Sequence, residues 1–229
     1  MLKKHEQSMI DGFSNFIERK AKAAGRQITR CSFDGQDSIV GADYVFTNHT
    51  NFLMVEFKYE ESDLKREGLK PRRLQLCRIL DDHDDWRDLS SQCHYVAWTE
   101  ALKPVSLRKR FVNFNGYYDE ICNRSVFGEH SDLKRDVPFG DFKVKAGRLA
   151  DDFLSGELGI DFPRFERYTD WLTSLEGSGS SGIELMVDDH TEDELILLDF
   201  PSVGSLKSWL DTTTFQPPTP RKSSGPRMG

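Results

Sequence analysis

The sequence predicts an α/β fold in which a mixed central β-sheet is flanked by helices. The N-terminal part of the chain reads helix, three strands, helix and strand, an αβββαβ order. Sixteen Phe, four Trp and an apolar share of 37% in 229 residues supply a core large enough for one domain of this kind. An α+β extension is predicted to follow at the C-terminus.

The elements of the predicted core are recognised from their periodicity and their breakers. Apolar residues at helical spacing predict a helix over 8–24, which Gly25 ends. Pro71 fits the first turn of a second helix over 70–80, which the acidic residues 81–85 interrupt. Runs rich in β-branched and aromatic residues predict strands over 27–33, 39–47, 52–59 and 93–99. The turn-forming residues 47–51 make the second and third strands an antiparallel hairpin.

The remaining elements divide the chain into three parts. Further helices are predicted over 105–111, 117–123, 147–154, 164–175 and 203–210, and further strands over 183–187 and 194–200. Residues 177–182 are a Gly/Ser connector, and the Pro- and Ser-rich residues 215–229 are predicted to be a disordered tail. We therefore expect a core over 1–150, an acidic extension over 151–214 and the tail.

The charge distribution decides whether a nucleic-acid partner is compatible with a net charge of −7. Residues 1–150 carry 25 basic and 23 acidic side chains, whereas residues 151–229 carry 6 basic and 15 acidic ones. The acidity is therefore a property of the C-terminal part and does not exclude DNA.

The cysteines and the hydropathy predict a cytoplasmic protein. The four cysteines lie far apart without a C-x-x-C pair, which argues against a zinc ribbon or a disulfide framework and is typical of reduced thiols. No apolar run reaches the roughly 20 residues of a membrane span, and no secretory signal is recognised at the N-terminus.

The residues that carry chemistry lie in the predicted hairpin. Side chains alternate between the faces of a strand, so Glu56 and Lys58 share one face while Phe57 points to the other. Burying an acid and a base in a strongly apolar strand is costly without a purpose. Asp43, on the preceding strand, lies within reach of Glu56 if the hairpin pairs in its natural register. Two carboxylates and a backbone carbonyl form an all-oxygen site, which suits Mg²⁺ or Mn²⁺.

This arrangement resembles the PD-(D/E)XK nuclease superfamily over roughly residues 8–100. The resemblance implies a restriction-endonuclease-like core and metal-dependent hydrolysis of phosphodiester bonds. It also implies that Asp43, Glu56 and the carbonyl of Phe57 bind the metal. Lys58 would orient and help to deprotonate the attacking water, or steady the charged phosphorane. Ala42 stands where the family's eponymous proline would precede the Asp, a frequent replacement.

Two further residues are candidates by the same resemblance. Many members carry another Glu on the first helix, and Glu18 is the candidate here. Some members place a Gln on the helix after the Glu-x-Lys strand, where Gln75 stands. For each of them, a solvated position on a helix is the simpler interpretation.

A basic segment follows the Glu-x-Lys strand and is suited to phosphate contact. Six of its residues are predicted to bind nucleic acid, against a single acid, Glu67: Lys65, Arg66, Lys70, Arg72, Arg73 and Arg78. We expect DNA rather than RNA as the substrate, and a homodimer where both strands are cut.

Three alternatives stay open. The charged face of the strand could be an ordinary solvated sheet face. The fold could be a non-catalytic module whose acidic part docks a partner protein through residues 183–200. The acidic segment 184–199 could mimic DNA and cover the basic face.

Overall fold

A computed structural model describes residues 3–33, 41–101, 110–138, 143–175, 182–189 and 194–212. Its strands are Thr29–Ser32 (β1), Tyr44–Thr47 (β2), Phe52–Glu60 (β3), His94–Ala101 (β4), Arg110–Gly116 (β5), Val144–Lys145 (β6), Ile183–Asp189 (β7) and Glu194–Phe200 (β8). Within the described ranges they form one mixed sheet in the order β6-β5-β4-β3-β2-β1-β7-β8. Only β3 and β4 pair in parallel. The predicted α/β class with a mixed sheet flanked by helices is confirmed.

The helices cover both faces of this sheet. They are Lys3–Ala23 (α1), Glu61–Leu64 (α2), Pro71–Asp82 (α3), Asp84–Cys93 (α4), Tyr117–Ile121 (α5), Arg124–Phe127 (α6), Ala146–Ser155 (α7), Phe162–Ser174 (α8) and Val203–Thr212 (α9). A 3₁₀ turn, Lys65–Leu69, joins α2 to α3, and a second covers Glu129–Ser131. None of the helices described is long and apolar enough to cross a membrane.

The strand β5 and the helix α4 are two of the elements that differ from the sequence prediction. Residues 110–116 form β5, although a helix was predicted over 105–111, of which 105–109 lie outside the described residues. Long-range contacts decide this, because β5 pairs along its full length with β4 and buries Phe114. The helix α4 was not predicted. His83 has an extended conformation that interrupts the helical backbone after α3, and the two acids that follow it favour a helix N-terminus.

The strand β3 separates two apolar layers, and this separation positions the candidate site. Leu53, Val55 and Phe57 pack on one face with α1 and α7, through residues such as Phe13 and Phe153. Phe52 and Met54 pack on the opposite face with α3, α4 and α8. Glu56 and Lys58 continue the face of Met54, so their charges point towards the layer that contains α3.

The C-terminal region continues the same sheet. The strand β7 pairs with β1 at Ser32 and Glu184, and β8 forms the edge beyond it. The connector prediction falls mostly on residues 176–181 and the tail prediction on 215–229, both outside the described residues.

The expectation of four reduced thiols was wrong. Cys77 in α3 and Cys122 directly after α5 form a disulfide with a Cα–Cα separation of 5.0 Å, whereas Cys31 and Cys93 are buried free thiols. The sequence hides the pair because 45 residues separate its members, and only the packing of α3 against α5 brings them together.

Candidate active site

The hairpin register places Asp43 directly beside Glu56. Tyr44 pairs with Val55 in the antiparallel ladder, so the residue before Tyr44 lies opposite the residue after Val55. The backbone N–H of Asp43 donates to the carbonyl of Val55 at 3.0 Å. The carboxylate oxygen Oδ2 of Asp43 accepts the N–H of Phe57 at 2.6 Å. The structure thus brings together the two acids that the sequence singled out.

A buried histidine fixes the backbone that leads into Asp43. Gly41 has a φ of +82°, and a Cβ added to it would lie 2.5 Å from Nη1 of Arg73, so only glycine fits without strain or displacement. His94 Nε2 lies 2.7 Å from the carbonyl of Gly41 and must be the donor, because a carbonyl only accepts. Its Nδ1 then accepts the hydroxyl of Tyr168 at 3.1 Å. Burial lowers the pKa of His94 to about 3, so the ring stays neutral.

Glu56 and Lys58 form a buried ion pair on the face predicted from strand periodicity. Their exposed fractions are 1% and 9%. The Lys58 ammonium contacts Oε1 of Glu56 and donates to the carbonyl of Phe57 at 3.2 Å. Oε2 of Glu56 is buried and accepts no hydrogen bond from any residue that the structure describes. One cation therefore already bridges two of the three predicted oxygen ligands, while a buried carboxylate oxygen beside it stays without a partner.

Glu67 is the functional candidate that the sequence prediction missed. It lies on the 3₁₀ turn after α2, has no exposed surface, and its Oε1 lies 3.4 Å from the Lys58 ammonium and 2.8 Å from that of Lys70. Its Oε2 accepts Nε of Arg73 at 3.2 Å and the hydroxyl of Tyr117 at 3.0 Å. The signal for it was present in the sequence, because Glu67 is the single acid inside the basic run from Lys65 to Arg78.

Burial and neighbouring charges push the site's pKa values in different directions. Burial raises the pKa of Asp43, and the charge of Glu56 raises it further. Burial would also raise the pKa of Glu56, but the ammonium of Lys58 and the guanidinium of Arg73 outweigh it, so this pKa is lowered. Burial would lower the pKa of Lys58, yet the carboxylates of Glu56 and Glu67 raise it instead. Glu56 is therefore held as a carboxylate and Lys58 as an ammonium, whereas Asp43 takes up a proton more readily than Glu56 does.

The two additional candidates from the first and second helices lie at the surface. Glu18 and Gln75 are both exposed. Another acid of α1, Glu6, lies closer to the site: burial raises its pKa, and the charges of Lys58 and Glu56 act on it. Since Glu18 is about 18 Å further along α1 at about 1.5 Å per residue, Glu6 is the acid of this helix that faces the candidate site.

The predicted nucleic-acid-binding residues fall into two groups. Lys65, Arg66, Arg72 and Arg78 are exposed, although Arg66 also pairs with Asp63 and Arg78 donates to the carbonyl of Ser131. Lys70 and Arg73 instead direct their charges at Glu67, and Arg73 is only 1% exposed. Arg73 is buried because it lies on the side of α3 that faces the sheet. Its guanidinium therefore pairs with an acid of the site, Glu67.

The oxygen atoms of the candidate site suit a hard divalent cation. Asp43, Glu56 and the Phe57 carbonyl supply only oxygen, which Mg²⁺ and Mn²⁺ prefer. The buried, unpartnered Oε2 of Glu56 is an acceptor for which a cation would be a partner. The described residues contain no cluster of three His, Cys, Asp or Glu side chains arranged to hold a metal, so the carbonyl would have to complete the set.

Comparison with known proteins does not add a relative: no family model, curated protein or solved structure matches the chain. The functional argument therefore depends on the geometry of this site.

Proposed function

We propose that the protein is a Mg²⁺- or Mn²⁺-dependent nuclease of the PD-(D/E)XK type that hydrolyses phosphodiester bonds in DNA as an endonuclease. The register that sets Asp43 beside Glu56, with Lys58 on the same strand face, carries this proposal. The strand arrangement supports it, because the antiparallel set β1–β2–β3 is followed by helices and by β4 parallel to β3. This order agrees with the αβββαβ arrangement that a restriction-endonuclease-like core would have, and so supports the proposal.

The side chains have distinct tasks in this proposal. Asp43, Glu56 and the Phe57 carbonyl would hold the metal, which when bound lowers the pKa of a water molecule and neutralises charge on the phosphate. Lys58, kept protonated by its two acids, supplies a positive charge to the reacting phosphate. Lys70 is half-buried at the same acids and extends this positive charge towards the surface.

The exposed cations on the 3₁₀ turn Lys65–Leu69 and at the start of α3 fit the role of holding the DNA backbone. Lys65, Arg66 and Arg72 are exposed within a few residues of Lys70. Phosphate contacts of this kind position a duplex without reading its sequence. Binding through them should weaken steeply as salt is raised.

Cleavage assays with matched variants test the proposal. Purified wild-type protein is incubated with linear, circular and branched DNA in Mg²⁺, in Mn²⁺ and in chelator, beside Asp43→Asn, Glu56→Gln and Lys58→Met. Asp170→Asn, an exposed acid of α8, is the matched control. We expect metal-dependent cleavage that falls at least about 100-fold in the three site variants and is retained in the control. Equal cleavage by wild type and the site variants, or none by any protein, would sink the proposal.

The exposed edge hairpin favours a second function, docking of a protein partner through residues 183–200. Met186 and Leu197 lie opposite each other on β7 and β8 and are 53% and 48% exposed, which is high for large apolar side chains. A partner retained by Glu56→Gln protein and lost by the Met186→Ser/Leu197→Ser variant would favour docking. Equal capture by both variants would contradict it. Light scattering on the same proteins tests whether this partner is a second copy, the homodimer expected for double-strand cleavage.

A further inference from the structure

The buried acids Glu56 and Glu67 share two ammonium groups, those of buried Lys58 and half-buried Lys70. The Lys58 ammonium contacts Oε1 of Glu56 and lies 3.4 Å from Oε1 of Glu67. The Lys70 ammonium lies 3.6 Å from Oε1 of Glu56 and 2.8 Å from Oε1 of Glu67. Each lysine therefore has the same two carboxylate oxygens within reach, and a small movement transfers it from one to the other.

The present pairing sets a problem for any divalent cation. Glu56 and the Phe57 carbonyl, both proposed metal ligands, are held by the Lys58 ammonium, so a cation bound at Oε2 of Glu56 and at that carbonyl would repel the ammonium from both. A buried ammonium without an acid nearby is strongly destabilising. The displaced Lys58 consequently needs a second carboxylate that is already in place and does not itself bind the metal.

Glu67 meets these requirements. Its Oε2 is fixed by Arg73 and Tyr117, which directs Oε1 at the two lysines. Oε1 is buried and accepts no hydrogen bond of regular geometry. The turn that carries Glu67 is packed so closely that a Cβ on Gly68 would overlap the carbonyl oxygen of Val126. The acid is thus held in place with Oε1 within 3.4 Å of the Lys58 ammonium.

We propose that Glu67 is a positioning residue that receives the Lys58 ammonium when a divalent cation takes Glu56. The inference depends on the proposed metal-dependent nuclease. It deepens that proposal because it explains how Lys58 leaves a metal ligand and still has a carboxylate partner. Pairing with Glu67 also keeps Lys58 close enough to act on the phosphate.

The effect of Glu67 on metal affinity should depend on Lys58. This dependence distinguishes a positioning residue from a metal ligand and from a charge that acts at a distance. Without Glu67, Lys58 stays on Glu56 and competes with the cation, so metal affinity falls. Without Lys58 that competition is absent, and removing Glu67 matters far less. A carboxylate that bound the metal itself, or acted only through its field, would lower affinity equally in both backgrounds.

Binding of Mn²⁺ alone, without DNA, measures this dependence by titration calorimetry or by electron paramagnetic resonance. The proteins are wild type, Glu67→Gln, Lys58→Met, the double variant and Glu56→Gln. We expect Glu67→Gln to weaken binding about tenfold in the wild-type background and less than about threefold in the Lys58→Met background. Equal weakening in both backgrounds, or none in the first, overturns the role of Glu67.

Glu67→Asp keeps the inference testable if Glu67→Gln does not fold. It retains the charge but withdraws the carboxylate from Lys58, so we expect weaker Mn²⁺ binding, again only when Lys58 is present. Affinity equal to that of wild type would contradict the proposal. Wild-type protein that binds no Mn²⁺, or binds it as well as Glu56→Gln protein does, overturns the proposed nuclease and this inference with it.

Discussion

Replacing Gly68 by alanine should displace the turn that presents Glu67. A Cβ at this position would overlap the carbonyl oxygen of Val126 and lie 3.0 Å from its carbonyl carbon, where ordinary contacts begin at 3.4 Å. Gly68 does not have a positive φ, so the backbone itself tolerates alanine and the effect is steric. The neighbouring backbone cannot yield easily, because Val126 and the next residue, Phe127, both donate to the carbonyl of Asn123.

The overlap sets the size of the effect. Relieving it requires a shift of about 1 Å, and such overpacking costs about 1–3 kcal/mol. A loss of about 2 kcal/mol lowers the melting temperature of a chain of this size by about 4–8 °C. The same shift lengthens the 3.4 Å separation between Lys58 and Glu67 beyond the roughly 4 Å of an ion pair. Mn²⁺ affinity should therefore fall together with stability.

Gly12→Ala provides the matched control with the opposite sign. Gly12 lies exposed within α1, and nothing lies within 4 Å of an added Cβ. Alanine there should stabilise the helix by up to about 1 kcal/mol. Urea unfolding followed by circular dichroism gives both free energies, and calorimetry gives the affinities. Gly68→Ala protein that is as stable as wild type and binds Mn²⁺ equally well would refute the reasoning.

Three further predictions concern the cross-link and the titrating groups. Removing the Cys77–Cys122 bond by alanine substitution of both residues should lower the free energy of unfolding by about 4 kcal/mol, because it frees a 45-residue loop in the unfolded chain; unfolding curves that coincide with and without reductant would contradict the bond. Asp43→Asn should stabilise the metal-free protein by on the order of 1 kcal/mol at neutral pH, since it relieves burial of a charge beside Glu56. The raised pKa of Asp43 fixes the sign: the gain is absent below about pH 3, where wild type is protonated in both states, and it grows as pH rises above the ordinary Asp pKa of about 4. It is complete once pH exceeds the raised pKa, so a gain independent of pH argues against this cause. The ring of His94 should show no titration between pH 5 and 8 by NMR, because its pKa lies near 3; a midpoint in that range would show that the ring is not buried as described.

Strand periodicity alone predicted the most informative part of the site. The alternation of β3 placed Glu56 and Lys58 on one face, and the turn at 47–51 gave the register that brings Asp43 to Glu56. These are local properties, and local sequence carries them.

Long-range packing decided what the sequence could not predict. Arg73 looks like a surface cation because its neighbours are basic, yet α3 turns it towards the sheet and Glu67 pairs with it. Glu67 looks like a solvated acid for the same reason. The strand β5 has buried asparagines that read as loop, but Asn113 donates to Glu100 on the neighbouring strand β4 and Asn115 to Glu120 in α5. Each case depends on contacts between residues that sequence periodicity does not relate.

The mixture of buried acids and cations at the site has a consequence for the proposed metal-dependent nuclease while it holds no metal. Three carboxylates, those of Asp43, Glu56 and Glu67, lie among three cations, those of Lys58, Lys70 and Arg73. The fold therefore needs no bound ion to hold its centre together, unlike domains that unfold when a chelator removes their metal. Metal supply would then control the activity of such a protein and not its folding. The chain would fold without the metal, and activation by a cation would take only the time that a lysine side chain needs to move.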